Sequence, residues 1–163
     1  MSQENPRVTV KIAGHPIHPM LIPFPIAFFV GAFAADIAFW RTGDIFFARG
    51  ACWLIGAGLA MAVLAAAAGL TDFLGSSAIR ALRPAWFHLI GNVTAVILEL
   101  LNFIIRIGDP VAAVLPIGLT LSLIVTLLLL FNGWMGWEMV YRGRVGVADS
   151  ETDRRGPIST PGG

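Results

Sequence analysis

The chain has one cysteine, Cys52, which excludes an intramolecular disulfide and any cysteine-cluster metal site. Charge is also scarce. Only 13% of the residues are Asp, Glu, Lys or Arg, and they sum to +1, so nothing points to nucleic acid as a partner. No stretch alternates polar with apolar residues as the strands of a membrane barrel do, which argues against that architecture. The start, MSQENPRVTVK, is polar, and the first apolar run is too long for a cleavable signal peptide. The sequence has no internal repeat, no nucleophile–base arrangement, no phosphate loop and no Cys-x-x-Cys-His haem-attachment motif. Nothing in it marks an enzyme.

Apolar residues are abundant: 56% of 163 positions, with a mean hydropathy of +0.78. A soluble domain of this size could not hide that much apolar surface, because much of its exterior must face water. Lipid is therefore the expected solvent. Four apolar stretches, at 19–40, 51–74, 84–106 and 111–135, each reach the ~20 residues a helix needs to cross a bilayer. The connections between them are short, so neighbouring helices should run antiparallel. The expected fold is all-α: a polytopic membrane protein built as a four-helix transmembrane bundle, with a proline-rich start to the first helix. Residues 1–13 form an N-terminal segment, 14–142 the transmembrane domain, and 143–163 a flexible polar tail.

Four spans place both termini on one side. Arg7, Lys11, Arg80, Arg83, Arg142, Arg144, Arg154 and Arg155 lie on that side, against Arg41, Arg49 and Arg106 on the other. The positive-inside rule then makes the terminal side cytoplasmic. Trp40 and Trp53 would mark the outer interface, and Trp86, Trp134, Trp137 and Tyr141 the inner one.

On this topology all three histidines gather at one membrane level. His15 and His18 sit at the cytoplasmic mouth of the first helix, and His88 lies in the first turns of the third. Asp72, at the end of the second helix, and Glu138, near the end of the fourth, share that level. Imidazoles and carboxylates are the usual ligands of zinc, iron and copper, and paired imidazoles from separate helices can hold a haem iron. Candidate metal ligands are thus His15, His18, His88 and Asp72, with His18, His88 and His15 the candidate cofactor-binding set. Histidines near an interface also commonly bond only loop carbonyls and headgroups, and the spacing His-x-x-His does not decide between these readings.

Pro16, Pro19, Pro23 and Pro25 each remove a backbone donor and restrict the preceding residue. Either the first helix starts with a slight kink, or residues 15–24 enter as a broken segment. In the second case Asn92 and the Trp86 indole are candidate partners for the freed backbone groups. The third helix carries a polar stripe. His88, Asn92, Ala95, Glu99, Asn102 and Arg106 step by fours and threes, so they share a face that should point into the bundle. Glu99 falls near the level of Asp36 on the first helix; one of these two carboxylates can pair with Arg106, the alternative being that they are protonated. The stripe reads as polar glue between helices or as a path for protons or cofactor propionates. In the second helix Gly56, Gly58, Ala60 and Ala67 allow close approach of neighbours, and Gly133 and Gly136 do so in the fourth. Cys52 reads as a small buried residue and Leu127–Leu130 as lipid-facing or core.

The opening GHPIHPMLIPFPIAFFVGAFAADIAFW, the Gly-Leu-Thr-Asp-Phe end of the second helix, His88 followed by Asn92, and GWMGWEMVYRGRVGV together resemble the bacterial membrane family catalogued as domain of unknown function 2231. The likeness covers about residues 13–147. It implies a four-helix domain of the bacterial inner membrane without an assigned activity. Relatives joined to Rieske-type or cytochrome-type domains imply a link to electron transfer. The family's histidine positions carry over to His15, His18 and His88. Relatives often have histidine where this chain has Pro23, and another after the Tyr-Arg pair, where it has Gly143 and Arg144. A cofactor needing those ligands would not bind here.

Three functions remain open. The first is a membrane protein binding haem b or a metal ion between the first and third helices. The second is a cofactor-free structural or assembly subunit of a larger respiratory or photosynthetic complex, or a homo-oligomer. The third is a small proton or solute pathway along the stripe.

Overall fold

The structure, a computed structural model, describes residues 11–12 and 15–147; the 148–163 part of the expected tail and most of the 1–13 segment lie outside the described residues. A two-residue antiparallel pair opens it, β1 (Lys11–Ile12) against β2 (His15–Pro16). A short helix α1 (Ile17–Leu21) leads into α2 (Pro23–Thr42). Ile22 between them keeps helical dihedrals (φ −53°, ψ −39°), and its N–H reaches the His18 carbonyl at 3.1 Å. The chain therefore enters as a proline-punctuated helix and not as an extended segment. The physical reason lies in register. Pro19 falls in the first turn of α1, and Pro23 and Pro25 in the first turn of α2, where the missing N–H would have no intrahelical partner anyway.

Gly43, at φ +70°, turns the chain at the end of α2. The Asp44 carboxylate then accepts the Phe46 N–H at 2.9 Å and caps α3 (Ile45–Gly75). This cap starts the second span six positions before the apolar run at 51 and draws Arg49 into the helix. Ser76 caps the single turn α4 (Ser77–Arg80) through the Ile79 N–H. α5 (Arg83–Gly108) follows, with Pro84 in its first turn. A wide turn over Val114–Gly118, broken at Leu115 (φ −111°, ψ 132°), delivers the chain to α6 (Leu119–Tyr141).

Four spans are long and apolar enough to cross a membrane: Ile17–Thr42, Ile45–Gly75, Arg83–Gly108 and Val114–Tyr141. The shortest have 26 residues. At ~1.5 Å per residue that is about 39 Å, against a hydrocarbon layer of ~30 Å. α2 packs on α3 and α6, and α5 on α6 and α3. With lipid as solvent, burying an apolar group between helices gains little over leaving it in hydrocarbon, so close packing and polar contacts hold such a bundle together. The packing is close. Ala48, Ala51, Ile55, Gly58, Ala62, Ala65 and Ala68 form the buried edge of α3, three and four positions apart. A Cβ on Gly58 would lie 2.5 Å from the Phe29 ring, and one on Gly56 would lie 3.0 Å from Phe103. Ala60 and Ala67 face outward instead, and a Cβ on Gly133 would meet nothing within 4 Å. Leu127 and Leu130 are exposed and Leu129 is buried. At mid-bundle Phe29, Ala62, Ala95, Val125 and Leu129, drawn from all four spans, form one buried cluster.

Candidate functional site

Two polar layers flank that cluster. The first lies in the half of the bundle nearer the termini. The rings of His18 on α1 and His88 on α5 have centres 6.3 Å apart and planes at 90°. His18 Nδ1 lies 2.8 Å from the Ala65 carbonyl oxygen of α3, and His88 Nδ1 lies 3.0 Å from the Asn132 carbonyl oxygen of α6. A carbonyl only accepts, so each Nδ1 carries the proton and donates it. In the neutral ring this leaves the lone pair on Nε2, the tautomer that metal-bound histidines adopt when a carbonyl orients them.

The same local device seats both rings. The accepting carbonyl belongs to a residue four positions before a glycine: Ala65 before Gly69, and Asn132 before Gly136. A Cβ on Gly69 would sit 2.6 Å from His18 Cε1, so only glycine admits that ring. A Cβ on Gly136 would sit 3.5 Å from His88 Cε1, an ordinary contact.

Among the other residues singled out at this level, His15 lies on β2, exposed, with its backbone paired to Ile12. Asp72 is buried on α3, three positions past Gly69. Glu138 pairs with Arg142 at 3.3 Å. Among the described residues, no three His, Cys, Asp or Glu side chains are grouped closely enough to share a metal ion, so neither His15 nor Asp72 completes a set around the pair. Asn92 and Trp86 do not serve the first helix. The Asn92 amide donates to the His88 carbonyl at 2.7 Å, and the Trp86 indole donates to the Arg80 carbonyl at 2.9 Å.

Sequence reasoning passed over Asn132. It is 2% exposed, its side chain lies against Gly91 of α5, and neither Oδ1 nor Nδ2 has a hydrogen-bond partner among the described residues. The available signal was an amide inside an otherwise apolar span.

The second layer lies in the opposite half, and all its members are fully buried. Arg106 of α5 holds Asp36 of α2 through Nη1–Oδ1 (2.8 Å) and Nη2–Oδ2 (2.7 Å), a two-pronged pair. Arg106 Nε donates to Asn102 Oδ1 at 2.9 Å. The Asn102 amide in turn donates to Glu99 Oε2 (3.2 Å) and Ser122 Oγ (3.0 Å). Ser122 of α6 closes the circuit by donating to Asp36 Oδ2 at 2.7 Å. Glu99 Oε1 has no partner among the described residues. A Cβ on Gly118 would lie 2.5 Å from Arg106 Nη2, so the broken turn before α6 packs directly on the guanidinium. Ser122 was not anticipated, because the hydroxyls of Thr120, Ser122 and Thr126 do not by themselves tell which one faces the partner helices.

A family model described as predicted membrane protein (DUF2231) matches residues 14–149. No curated protein and no solved structure matches the chain.

Proposed function

The chain belongs to the DUF2231 family of predicted membrane proteins, and on that premise we propose that it holds a redox-active metal centre between the imidazoles of His18 and His88. The observation that carries this reading is the ring separation. With metal–nitrogen bonds of ~2.0–2.1 Å and each nitrogen about 1.1 Å from its ring centre, imidazoles facing each other across one ion have centres roughly 6.3 Å apart, and at a tetrahedral angle roughly 5.2 Å. The observed separation of 6.3 Å is compatible with one ion held between the two rings.

Two protein ligands are too few for a structural zinc ion, which takes four. They suit a centre that brings its own equatorial donors, as haem b does, or a two-coordinate copper(I) ion. Support also comes from the carbonyl-held tautomers, from the glycine that makes room for the His18 ring, and from the buried, unpartnered Asn132 amide beside the His88 acceptor. When bound, such a centre would pass single electrons. The protein's part is to fix both rings and keep lipid from them.

The positive-inside argument puts this layer in the cytoplasmic half of a bacterial inner membrane, with both termini cytoplasmic. The Asp36–Arg106 pair strengthens it, because a buried, neutralised arginine does not count as a loop charge on the far side.

An absorption spectrum with elemental analysis of the detergent-purified protein tests the proposal. A Soret band indicates haem, and bound copper without one indicates the bare ion. Either should be lost in His18→Ala and His88→Ala and kept in His15→Ala. Colourless, metal-free protein that co-purifies with stoichiometric partners would overturn it in favour of a structural subunit.

A further inference from the structure

The layer around Glu99 is independent of the histidine pair and carries its own inference. It contains two carboxylates and one guanidinium, all fully buried. Both oxygens of Asp36 are taken, by Arg106 and by Ser122. Arg106 has given its Nη atoms to Asp36 and its Nε to Asn102, so the pair is closed and electrically neutral. Glu99 is therefore left over in the charge count. One oxygen accepts from the neutral Asn102 amide, and the other, Oε1, has no partner among the described residues. A bare carboxylate at this depth is costly, and in a membrane interior such groups mark sites where a proton or ion is exchanged.

The charged and titratable groups that face Glu99 are few. Asp36 comes from α2 and Arg106 from its own helix; α6 brings the neutral Ser122, and α3 brings only the Cys52 thiol within electrostatic reach of Arg106. The partners Asn102 and Arg106 step away from Glu99 towards Gly108, the end of α5, which is ~13 Å distant at ~1.5 Å per residue. On the other side the apolar cluster around Ala95 closes the bundle.

We propose that Glu99 Oε1 is the seat of an exchangeable proton, held in the half of the bundle away from the termini by the closed Asp36–Arg106–Asn102–Ser122 frame. The frame fixes Oε2, so the proton resides on the one oxygen that no side chain occupies. Asp36 is the built-in contrast: a carboxylate of equal burial whose two oxygens are both occupied, by the Arg106 guanidinium and the Ser122 hydroxyl.

The test uses the full chain in detergent or liposomes and dicyclohexylcarbodiimide, an apolar reagent that attacks protonated carboxyl groups in membranes. Labelled protein is digested and the modified residue located by mass spectrometry. The expected result is a label on Glu99 and none on Asp36, with a rate that falls as pH rises and does not change when sodium replaces potassium at fixed pH. In Glu99→Gln the label should be lost while the thermal unfolding midpoint stays within a few degrees of the parent. No label at Glu99 at any pH would overturn the proposal, as would a label at Asp36 of equal rate. Protection by sodium at fixed pH would also overturn it, because the site would then be an alkali-ion site. Because the peptide map is made on the unaltered chain, the result stands even if Glu99→Gln fails to fold. A colourless, metal-free protein would leave this outcome untouched.

Discussion

Asp36 and Arg106, 70 positions apart, meet through two hydrogen bonds of 2.8 and 2.7 Å in a site that neither water nor lipid touches. The pair ties the first span to the third, and Ser122 ties both to the fourth. Removing one partner leaves the other charged and unmatched in a low-dielectric interior. Breaking a buried pair from one side typically costs ~3–5 kcal/mol, whereas replacing both partners by apolar residues of similar volume is far less harmful.

Arg106→Met and Asp36→Leu should therefore each lower stability by about 3–5 kcal/mol, and the double variant should lose clearly less than their sum. Unfolding in mixed micelles, followed by circular dichroism, measures the cycle. Additive losses would mean that the two side chains do not interact in the folded bundle.

Gly69 and Gly136 occupy equivalent places beneath His18 and His88, yet a methyl group would have 2.6 Å of room at the first and 3.5 Å at the second. Gly69→Ala should cost ~1–3 kcal/mol through overpacking, whereas Gly136→Ala should cost under ~1 kcal/mol. The same unfolding assay checks both. Equal losses at the two positions would contradict the seating described for His18.

The prolines at 19 and 23 lie in first helical turns, where they cost no intrahelical hydrogen bond. Pro19→Ala and Pro23→Ala should each change stability by less than ~1 kcal/mol, mostly by loosening the unfolded chain. Helical content by circular dichroism should not fall. A large loss of helix would indicate that the prolines hold an irregular segment.

The four spans were legible in the sequence because length and hydropathy decide membrane crossing almost alone. The boundaries were less so. The second apolar run begins at residue 51, whereas the Asp44 carboxylate caps α3 so that the helix starts at Ile45. The inward face of α5 could be read because Glu99, Asn102 and Arg106 repeat at helical spacing. Their partners could not. Ser122 and Asn132 lie ten positions apart on the strongly apolar α6, and so sparse a polar pair marks no face until its neighbours across the interface are known. The prolines left both a kinked helix start and a broken segment open, because each restricts the backbone locally. Their register against two successive helix starts emerges only once the helices are placed. Gly136 looked like a generic packing residue and Gly69 drew no reading of its own, since the rings they accommodate come from other helices.

Between the two polar layers stands the cluster of Phe29, Ala62, Ala95, Val125 and Leu129. Its side chains offer neither donor nor acceptor, so no chain of side-chain hydrogen bonds runs through this cluster from the histidine pair to the carboxylate network. Each polar layer can therefore be altered by substitution without rewiring the other.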